Sequence, residues 1–471
     1  MTSLDELNQL FAAQKAAFAA APFPVATTRI ENLEKLRLAL LAHQDTLTQA
    51  IQDDFGRRSP DETRLAELLP SVEGIRYAQK RIKRWMRPSR RKVGTAFQPA
   101  SARVEYQPLG VVGVIVPWNY PLYLAIGPLV AALSAGNRVL IKMSEFTPAT
   151  AAAVQSLVAE CFHPSEVAVV TGDVDIGQAF AELPFDHLLF TGGTNIGRHV
   201  MQAAAKNLTP VTLELGGKSP AILGNPRYCD LAAAAERIAF GKALNAGQTC
   251  VAPDYILCPR GQVDELIREL KQAFEKLYPT LKDNPDYSWI INQKQFDRLH
   301  AVIQDAVSRG ADLHVVNPQS ETFEGSRLIP PTIVNNSNND MRIMQDEIFG
   351  PILPIVAYDN FAQALQHIRA NDRPLALYYF GNDQVERKQV LENTHSGGVC
   401  FNEAIFHVAQ DDLPFGGVGA SGMGQYHAHE GFLTFSNSRA VLSKGKLNSA
   451  KLIYPPYGGK MLTMIYKLFI R

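Results

Sequence analysis

The feature that most constrains the fold is an alternation of short apolar strands and helical stretches that begins near residue 106. Leu109–Val116 is a continuous apolar run rich in valine, which is typical of a strand buried on both faces. Leu122–Ala135 follows as a predicted helix, closed by Gly136. Further strands are predicted at Val139–Lys142, Val167–Val170, His187–Phe190 and Val211–Leu215. This alternation predicts an α/β fold with a parallel, doubly wound sheet, which usually binds a nucleotide at the carboxyl ends of its strands.

Further elements are predicted before, within and after this region. Apolar residues from Leu33 to Ile51 fall at helical spacing, and Gly56 marks the end of that stretch. Thr147 is the predicted N-cap of a helix that begins at Pro148. Beyond residue 220 the predicted elements are a helix near Asp230–Leu244, a strand at Tyr255–Leu257 and a helix at Val263–Leu277. A chain of 471 residues is long enough for about three structural units.

Charge and hydropathy exclude several classes of protein. The chain has 46 basic and 46 acidic residues, so no net field draws it to nucleic acid or to an anionic membrane. Its longest apolar stretches are shorter than the ~18 residues that a membrane-spanning helix needs. The first residues, MTSLDELNQLF, lack the basic-then-apolar pattern of a secretory signal. We therefore expect a soluble, cytoplasmic protein.

One stretch departs from this balance, because eight of the thirteen residues 80–92 are basic. The stretch is either an anion or nucleic-acid patch or a solvated arm of the fold. We favour the arm, since no aromatic platform or DNA-binding motif accompanies the charge. No nucleic-acid partner is predicted.

The cysteines are too few and too widely spaced to form a disulfide framework or a zinc site. The five are Cys161, Cys229, Cys250, Cys258 and Cys400. Cys250 lies in NAGQTC, and a thiolate stabilised there by backbone amides, as at a helix N-terminus, would be a nucleophile. Taken alone, any one cysteine is more often a structural residue of the core. His427 and His429 form an HxH pair with no third ligand at suitable spacing, so no metal site is predicted.

Three further segments can carry chemistry, and each also has a plain structural interpretation. Glu214 in LELGGKSP follows an apolar strand and is either a general base or a carboxylate in a cap or salt bridge. Asn119 in PWNYP ends another strand, where its amide either donates to an oxyanion or forms an Asx turn. FTGGTNIGR (190–198) follows a strand and opens a helix, as a phosphate-binding loop does, although an ordinary glycine turn fits equally well.

The order of the motifs is more specific than any one of them. The chain contains, in this order, PWNYP, VLIKMSE, FTGGTNIGR, LELGGKSP, NAGQTC, DEIFGP and PFGGVGASGMG. In this it resembles the aldehyde dehydrogenase superfamily over essentially its whole length, and LELGGKSP, GQTC and EIFGP are together highly specific. The ending PFGGVGASGMGQYH and the late YPPY resemble the class 3 branch, which includes fatty-aldehyde and bacterial coniferyl aldehyde dehydrogenases.

The resemblance implies a catalytic role for four residues. Cys250 attacks the aldehyde carbon to form a thiohemiacetal, and the Asn119 amide and the Cys250 backbone N–H hold its oxyanion. Hydride transfer to a nicotinamide cofactor then leaves a thioester. Glu214, assisted by Glu347, activates the water that hydrolyses this thioester.

The resemblance also implies a cofactor site for NAD or NADP. The residues expected there are Trp118, Lys142, Glu145, Gly192, Gly193, Thr194, Gly197, Glu347 and Phe349. Lys142 and Glu145 contact the adenosine ribose, the glycine segment follows the pyrophosphate, and Glu347 with Phe349 positions the nicotinamide. Met143 stands where members of this family usually have a proline. The choice between NAD and NADP stays open.

The substrate is expected to be an aldehyde that fits an apolar and aromatic tunnel. The residues predicted to line it are Tyr120, Thr249, Val251, Phe401 and Phe406. Such a wall suits aryl or long-chain aldehydes better than small polar ones. Two rival functions remain: a dehydrogenase that passes the acyl group to CoA, and a non-enzymatic protein that retains the fold.

The same resemblance implies a division of the chain into domains. It predicts a Rossmann-type cofactor domain (1–84 and 108–213), a catalytic domain (214–410) and a small oligomerisation arm (85–107 and 411–445). A homodimer is expected. The tail 446–471 ends in KMLTMIYKLFIR, predicted as a short amphipathic helix that covers the substrate entrance, rests on a membrane surface or packs on its own subunit.

Overall fold

The strands form three sheets in a computed structural model, which describes residues 1–94 and 97–470. The strands are β1 (Ser89–Arg91), β2 (Ala100–Pro108), β3 (Val111–Ile115), β4 (Arg138–Lys142), β5 (Val167–Val170), β6 (His187–Gly192), β7 (Val211–Leu215), β8 (Pro220–Leu223), β9 (Tyr255–Pro259), β10 (Asp312–Val315), β11 (Thr332–Asn335), β12 (Ile352–Tyr358), β13 (Ala376–Phe380), β14 (Gly398–Phe401), β15 (Gly422–Met423) and β16 (Ser436–Lys444). The helices are α1 (Leu4–Ala20), α2 (Ala26–Ala42), α3 (Gln44–Phe55), α4 (Pro60–Thr63), α5 (Leu69–Trp85), α6 (Tyr123–Ala135), α7 (Pro148–Cys161), α8 (Val174–Ala181), α9 (Thr194–Ala205), α10 (Leu231–Ala243), α11 (Val263–Leu277), α12 (Gln293–Ser308), α13 (Arg342–Gln345), α14 (Phe361–Ala370), α15 (Gln384–Asn393), α16 (Ala428–Thr434) and α17 (Lys460–Phe469).

The first large sheet confirms the predicted doubly wound topology. Its strand order is β15-β7-β6-β3-β4-β5, and all its neighbours are parallel except β15 against β7. The chain runs outward from β3 through β4 to β5, and β6 then lies on the other side of β3. The strand order therefore reverses between β3 and β6, and ligands bind in such a sheet beyond the carboxyl ends at that point. PWNYP follows β3 there, and FTGGTNIGR begins within β6.

The second large sheet has the order β10-β11-β12-β9-β8-β13-β14, and its pairs are parallel except β10 against β11. The short segment between β7 and β8 joins it to the first sheet. Cys250 lies in the connection that leads into β9. Both predicted catalytic segments, LELGGKSP and NAGQTC, therefore lie where the chain enters this sheet.

The third sheet joins two distant parts of the chain. β2 pairs antiparallel with β16 along nine residues, from Ala100 opposite Lys444 to Pro108 opposite Ser436, and β1 lies on the other side of β2. These strands belong to the two segments for which an arm was predicted. The domain bounds themselves stay a prediction.

The cap of α7 differs from its prediction. Thr147 occupies the N-cap position, but its side chain makes no capping hydrogen bond. The carboxylate of Asp54 instead accepts from the backbone N–H groups of Ala149 (2.9 Å) and Thr150 (2.8 Å). A carboxylate at a helix N-terminus is also favoured by the helix dipole, so an acid from α3 takes the place of the local hydroxyl.

The tail forms a helix, as predicted. Leu462 of α17 is buried, whereas Met464 and Leu468 are exposed. Arg471 lies outside the described residues. Within residues 1–94 and 97–470, none of the helices combines the length and the apolar character needed to cross a bilayer.

Candidate active site

Cys250 is half-buried and follows a tight turn rather than lying at the N-terminus of an α-helix. The turn Leu244–Gly247 precedes it, and both Asn245 and Ala246 have left-handed backbone with φ near 50°. Burial first, and then the charges of Glu347 and Glu214, raise the pKa of the Cys250 thiol to about 12. The backbone N–H groups of Cys250 and Val251 act in the opposite direction. The free thiol is therefore the resting form at neutral pH.

Asn119 is held directly beside this turn. Its side-chain Nδ2 donates to the backbone oxygen of Gln248 at 3.2 Å, two residues before Cys250. Its own backbone oxygen accepts from Asn245 Nδ2 at 3.0 Å. Because an amide nitrogen carries two N–H groups, the Asn119 side chain has a second donor to offer.

Glu214 is a buried carboxyl group without a hydrogen-bond partner. It lies on β7 opposite Gly422 of β15, only 3% of it is exposed, and both of its carboxylate oxygens lack a partner among the described residues. Burial raises its pKa well above the ordinary value. An unpartnered carboxyl with a raised pKa is a candidate general base or acid.

Glu347 brings a second carboxyl group to the same place. It accepts a hydrogen bond from the backbone N–H of Gly217, and burial raises its pKa to about 8. A Cβ at Gly216 would lie 1.9 Å from Glu347 Oε2, so only glycine permits this approach. Since Glu347 and Glu214 both raise the pKa of Cys250, the two carboxyl groups and the thiol form one electrostatic cluster.

The glycine segment after β6 leaves room for a phosphate. α9 begins at Thr194, and a Cβ added to Gly193 would meet no atom within 4 Å. The first N–H groups of a helix have no partner within that helix and favour an anion. A Cβ at Gly197 would instead lie 2.7 Å from the Leu215 side chain, so Gly197 serves the close packing of α9 on β7.

Two other predicted cofactor residues, Lys142 and Glu145, lie at and just after the carboxyl end of β4 in the first large sheet. Lys142 ends β4, and its Nζ donates to the backbone oxygens of Met143 (2.9 Å) and Gly172 (2.8 Å). Burial lowers the pKa of Lys142, and the charge of the exposed Glu145 opposes that shift. The start of α9 favours an anion, and Lys142 and Glu145 lie near the same edge of the sheet. This combination of groups suits the binding of a dinucleotide.

Trp118 and Phe349 form an edge-to-face pair. Their ring centroids are 5.2 Å apart at an interplanar angle of 81°. Trp118 immediately precedes Asn119, and Phe349 follows Glu347 by two residues. The pair therefore joins the loop after β3 to the segment that carries Glu347.

The predicted substrate-tunnel residues separate into two groups. Tyr120 Oη and Thr249 Oγ1 are hydrogen-bonded at 2.6 Å, and Val251 follows Cys250, so these three lie together. Phe401 packs instead against Tyr379, and Phe406 stacks on Phe240 and is 45% exposed. Phe401 and Cys250 pack against different apolar clusters, whereas Cys400, the neighbour of Phe401 on β14, packs against the same cluster as Cys250.

A buried ionic network supports the site from α4 and the π-helical turn Arg64–Leu68, and sequence reasoning missed it. Arg58 pairs with Glu62 (3.1 Å) and with Glu67 (2.8 Å), and all three side chains are buried. Glu62 accepts from the backbone N–H of Asn245 at 3.0 Å, in the turn before Cys250. Glu67 accepts from the N–H of Leu122 at 2.8 Å, in the loop that carries Asn119.

A second ion pair, also missed, holds the segment that carries Glu347. Lys218 pairs with Asp254, and its Nζ donates to the backbone oxygen of Ile343 at 2.8 Å. Asp254 in turn accepts from the backbone N–H of Ile348 at 3.0 Å. Lys218 belongs to LELGGKSP, so its place in the motif was the available signal.

Both histidines of the HxH pair pack against aromatic rings. His427 is buried and stacks on Phe415, with centroids 5.0 Å apart, whereas His429 lies over Phe432. Among the described residues, no three His, Cys, Asp or Glu side chains form a group suited to a metal ion.

Comparison with known proteins identifies the family. Residues 2–441 match the profile of the aldehyde dehydrogenase family. This chain belongs to the aldehyde dehydrogenase family. It is 56% identical over 468 residues to a Pseudomonas aeruginosa protein named "Probable coniferyl aldehyde dehydrogenase", a match that covers 99% of this chain and 97% of that one. The enzymatic class and the fold that the motifs implied are thereby confirmed.

Two solved structures of aldehyde dehydrogenases illustrate the likeness. The substrate-bound state of Staphylococcus aureus AldH is 36% identical with a TM-score of 0.93, and the match covers 99% of both chains. A Mycobacterium tuberculosis aldehyde dehydrogenase complexed with NAD+ is 29% identical with a TM-score of 0.85, covering 95% of this chain and 92% of that one. Both span nearly the whole of this aldehyde dehydrogenase.

Proposed function

We propose that this aldehyde dehydrogenase oxidises an aryl aldehyde of the coniferyl type to the carboxylic acid, with Cys250 as nucleophile and NAD or NADP as cofactor. The observation that carries the proposal is the unpartnered, buried carboxyl of Glu214, which shares one electrostatic cluster with Cys250. A structural carboxylate would have a salt-bridge or capping partner. A carboxylate that accepts a proton from water needs space beside it for that water molecule.

In the first half-reaction Cys250 Sγ releases its proton to solvent and attacks the aldehyde carbon. The developing oxyanion receives hydrogen bonds from the Asn119 amide and from the Cys250 backbone N–H, which is the electrostatic stabilisation that acyl-transfer sites use. A bound nicotinamide cofactor would supply the acceptor for the hydride that leaves the substrate carbon. The carbon–oxygen double bond re-forms, and the acyl group stays on Cys250 as a thioester.

In the second half-reaction Glu214, assisted by Glu347, activates water. The Glu214 carboxylate accepts a proton from a water molecule whose oxygen attacks the thioester carbon. The carbon–sulfur bond then breaks, the acid leaves, and the Cys250 thiolate takes up the proton that Glu214 accepted from water. The raised pKa of Glu214 makes it a stronger base once it is ionised.

This chain would hold the dinucleotide beyond the carboxyl ends of β4 and β6. Lys142 and Glu145 would contact the adenosine ribose, and the backbone at Gly193 and Thr194 would follow the pyrophosphate. Glu347 with Phe349 would position the nicotinamide ribose and ring. The open space at Gly193 and the start of α9 support this placement.

The rival functions differ in what accepts the acyl group. A dehydrogenase that transfers it to CoA has no use for a water-activating carboxyl, so Glu214 favours hydrolysis. A protein that only retains the fold has no use for Cys250, Asn119 and Glu214 together. NADH formation from an aldehyde, measured with and without CoA, separates these rivals.

The test is NADH formation from coniferyl aldehyde, with octanal as the aliphatic comparison and with or without CoA. We expect kcat/KM to be higher for coniferyl aldehyde and unchanged by CoA. A requirement for CoA would overturn hydrolysis, and a preference for octanal would overturn the aryl substrate. Running the same assay with NADP+ determines which cofactor the protein prefers.

We propose further that two chains associate through the sheet of β1, β2 and β16, and that the apolar side chains of α17 contact a membrane surface. The exposed strands of that sheet and the exposed Met464 and Leu468 support these two contacts. Light scattering after size exclusion tests the first, and a dimer mass is expected.

A further inference from the structure

Phe349 has an unusual backbone conformation for a residue with a side chain. Its φ is 50°, in the left-handed region that favours glycine, and it immediately precedes Gly350. A residue with a side chain is strained in this region and keeps the conformation only where surrounding contacts impose it. Bonds from neighbouring elements therefore hold Phe349, and with it the nearby Glu347, in place.

Ile348, which lies between Glu347 and Phe349, is fixed by two charged side chains. Its backbone oxygen accepts a hydrogen bond of 2.7 Å from Arg298 Nη2, and its backbone N–H donates to Asp254 at 3.0 Å. The same Arg298 nitrogen lies 3.5 Å from the backbone oxygen of Phe349, so it also reaches the strained residue. Hydrogen bonds to charged groups are about twice as strong as those between neutral groups. Arg298 and Asp254 thus hold the two backbone polar groups of Ile348.

Arg298 is itself held in place on α12. Its Nε donates to the side chain of Gln295, one helical turn earlier, at 2.7 Å. The neighbouring Leu299 is buried and packs so closely on Gly350 that a Cβ at this glycine would lie 2.5 Å from Leu299 Cδ2. α12 therefore packs directly on the segment 347–350, with the guanidinium of Arg298 directed at its carbonyl groups.

The same segment lies against the turn that precedes Cys250. A Cβ at Gly247 of that turn would lie 2.3 Å from the backbone oxygen of Gly350, so the two backbones are in direct contact. A change in the conformation of the segment 347–350 would therefore move Glu347 relative to the proposed nucleophile.

We propose that Arg298 is a positioning residue, which keeps Phe349 in its left-handed conformation and so presents Glu347 and Phe349 to the nicotinamide half of the cofactor. The inference rests on the proposed function, because it takes these two residues as the contacts of the nicotinamide ribose and ring. Without the guanidinium the strained backbone relaxes, and both side chains leave the positions that the cofactor needs. The proposed adenosine site, at Lys142 and Glu145 beyond β4, does not involve this segment.

The test compares the dissociation constants of NAD+ and of ADP, which keeps the adenosine and the pyrophosphate and lacks the nicotinamide ribose and ring. Arg298→Met should weaken NAD+ binding by about 10- to 100-fold, the effect of one hydrogen bond to a charged group, and leave ADP binding unchanged. Arg298→Lys keeps one charged donor and should give an intermediate NAD+ affinity. Arg309→Met is the matched control: Arg309 follows the same helix and pairs with Asp305 at 2.9 Å, so both constants should equal those of the wild type.

The comparison also separates a positioning role from a merely structural one. If Arg298→Met weakens NAD+ and ADP binding equally, Arg298 only supports the fold and the inference is wrong; it is also wrong if neither constant changes. Either result leaves the proposed function standing when the wild-type protein oxidises coniferyl aldehyde. A wild-type protein that binds neither NAD+ nor NADP+ refutes the proposed function and this inference together. If NADP+ binds more tightly than NAD+, then NADP+ and ADP carrying a 2′-phosphate are the pair compared.

Discussion

Arg58 Nη1 donates a hydrogen bond of 3.0 Å to the backbone oxygen of Asn119, 61 residues later in the chain. The same guanidinium pairs with Glu62 and Glu67, and the Arg58 side chain is fully buried. Because Glu62 also binds the backbone of Asn245, one ionic network fixes both the loop of the proposed oxyanion donor and the turn of the proposed nucleophile. The N-terminal helices thus support the catalytic geometry.

Arg58→Met should destabilise the protein strongly. Removing one member of a buried ionic network leaves the others uncompensated, which costs about 3–5 kcal/mol. We expect the free energy of unfolding in urea to fall by that amount, and the hydride-transfer step to slow. Arg64→Met is the control, because Arg64 is 46% exposed and its pairs with Asp45 and Asp61 contribute within about 1 kcal/mol. Equal stability of the two variants would refute the supporting role.

Cys250→Ala should abolish aldehyde oxidation while cofactor binding stays nearly intact. The thiol is the group that forms the covalent bond, whereas the proposed dinucleotide residues lie on other elements. Turnover and the dissociation constant for NAD+ measure the two effects. Cys258→Ala is the control, since Cys258 is buried in β9. Substantial turnover by Cys250→Ala, or loss of activity in the control, would show that the nucleophile is assigned wrongly.

Local sequence patterns predicted the elements well where one stretch of chain decides the outcome. The bounds of β5, β7 and α11 coincide with their predictions, and Gly136 ends α6 with φ 94°. A valine-rich buried strand, or a helix that ends at a glycine, is determined mainly by the residues of that segment. The sequence alone therefore predicts it. The motif order likewise indicated the family.

Contacts between distant segments were beyond single-sequence reasoning. The cap of α7 comes from Asp54 rather than the adjacent Thr147, and the Arg58 network joins residues far apart in the chain. Phe401 was placed near the site by its position in sequence, but alternation along β14 turns it toward Tyr379. Asp411 belongs to none of the motifs, so only the fold shows that it lies beside Tyr426.

Alkylation of Cys250 by iodoacetamide should accelerate with pH. The reagent attacks the thiolate, and with a pKa of about 12 the thiolate fraction rises about tenfold for each pH unit through the range from 7 to 10. Glu347 has a pKa of about 8, so it is neutral below that pH and negative above it. Glu347→Gln should therefore speed alkylation above pH 8, where it removes a repelling charge, and change it little below.

Peptide mass spectrometry measures this modification at Cys250, and the Cys250→Ala protein identifies the background. A rate that is flat between pH 7 and 10 would mean that the thiol is already ionised in the free protein. A slower rate for Glu347→Gln at high pH would contradict the repulsion between the two groups.

Deleting the last twelve residues, 460–471, should reduce co-sedimentation with anionic liposomes. Met464 and Leu468 are exposed on α17, and Lys460 and Lys467 add positive charge beside them. The KM for a long-chain aldehyde measures the other predicted role, covering the substrate entrance. If neither quantity changes, the tail only packs on its own subunit. Met464→Ser with Leu468→Ser is the matched variant that removes apolar area and keeps the helix.

Glu214→Gln should stop the reaction after hydride transfer. The amide cannot accept a proton from water, and removal of a general base costs about 10²–10⁴-fold, so the thioester accumulates. A rapid-quench trace should show a burst of NADH near one per active site, followed by a slow steady state. Intact mass should show the acyl group on Cys250, and hydroxylamine, a strong nucleophile that needs no base, should speed its release.

The companion variant Glu347→Gln distinguishes the two carboxyl groups. Glu214 has no hydrogen-bond partner, whereas Glu347 already accepts from Gly217, so the first is the freer to receive a proton from water. We therefore expect slow deacylation in Glu214→Gln and a smaller change in Glu347→Gln. Loss of the burst itself in Glu214→Gln would show that this carboxylate also deprotonates the Cys250 thiol, which is neutral at pH 7. Full activity of Glu214→Gln would transfer the role of base to Glu347.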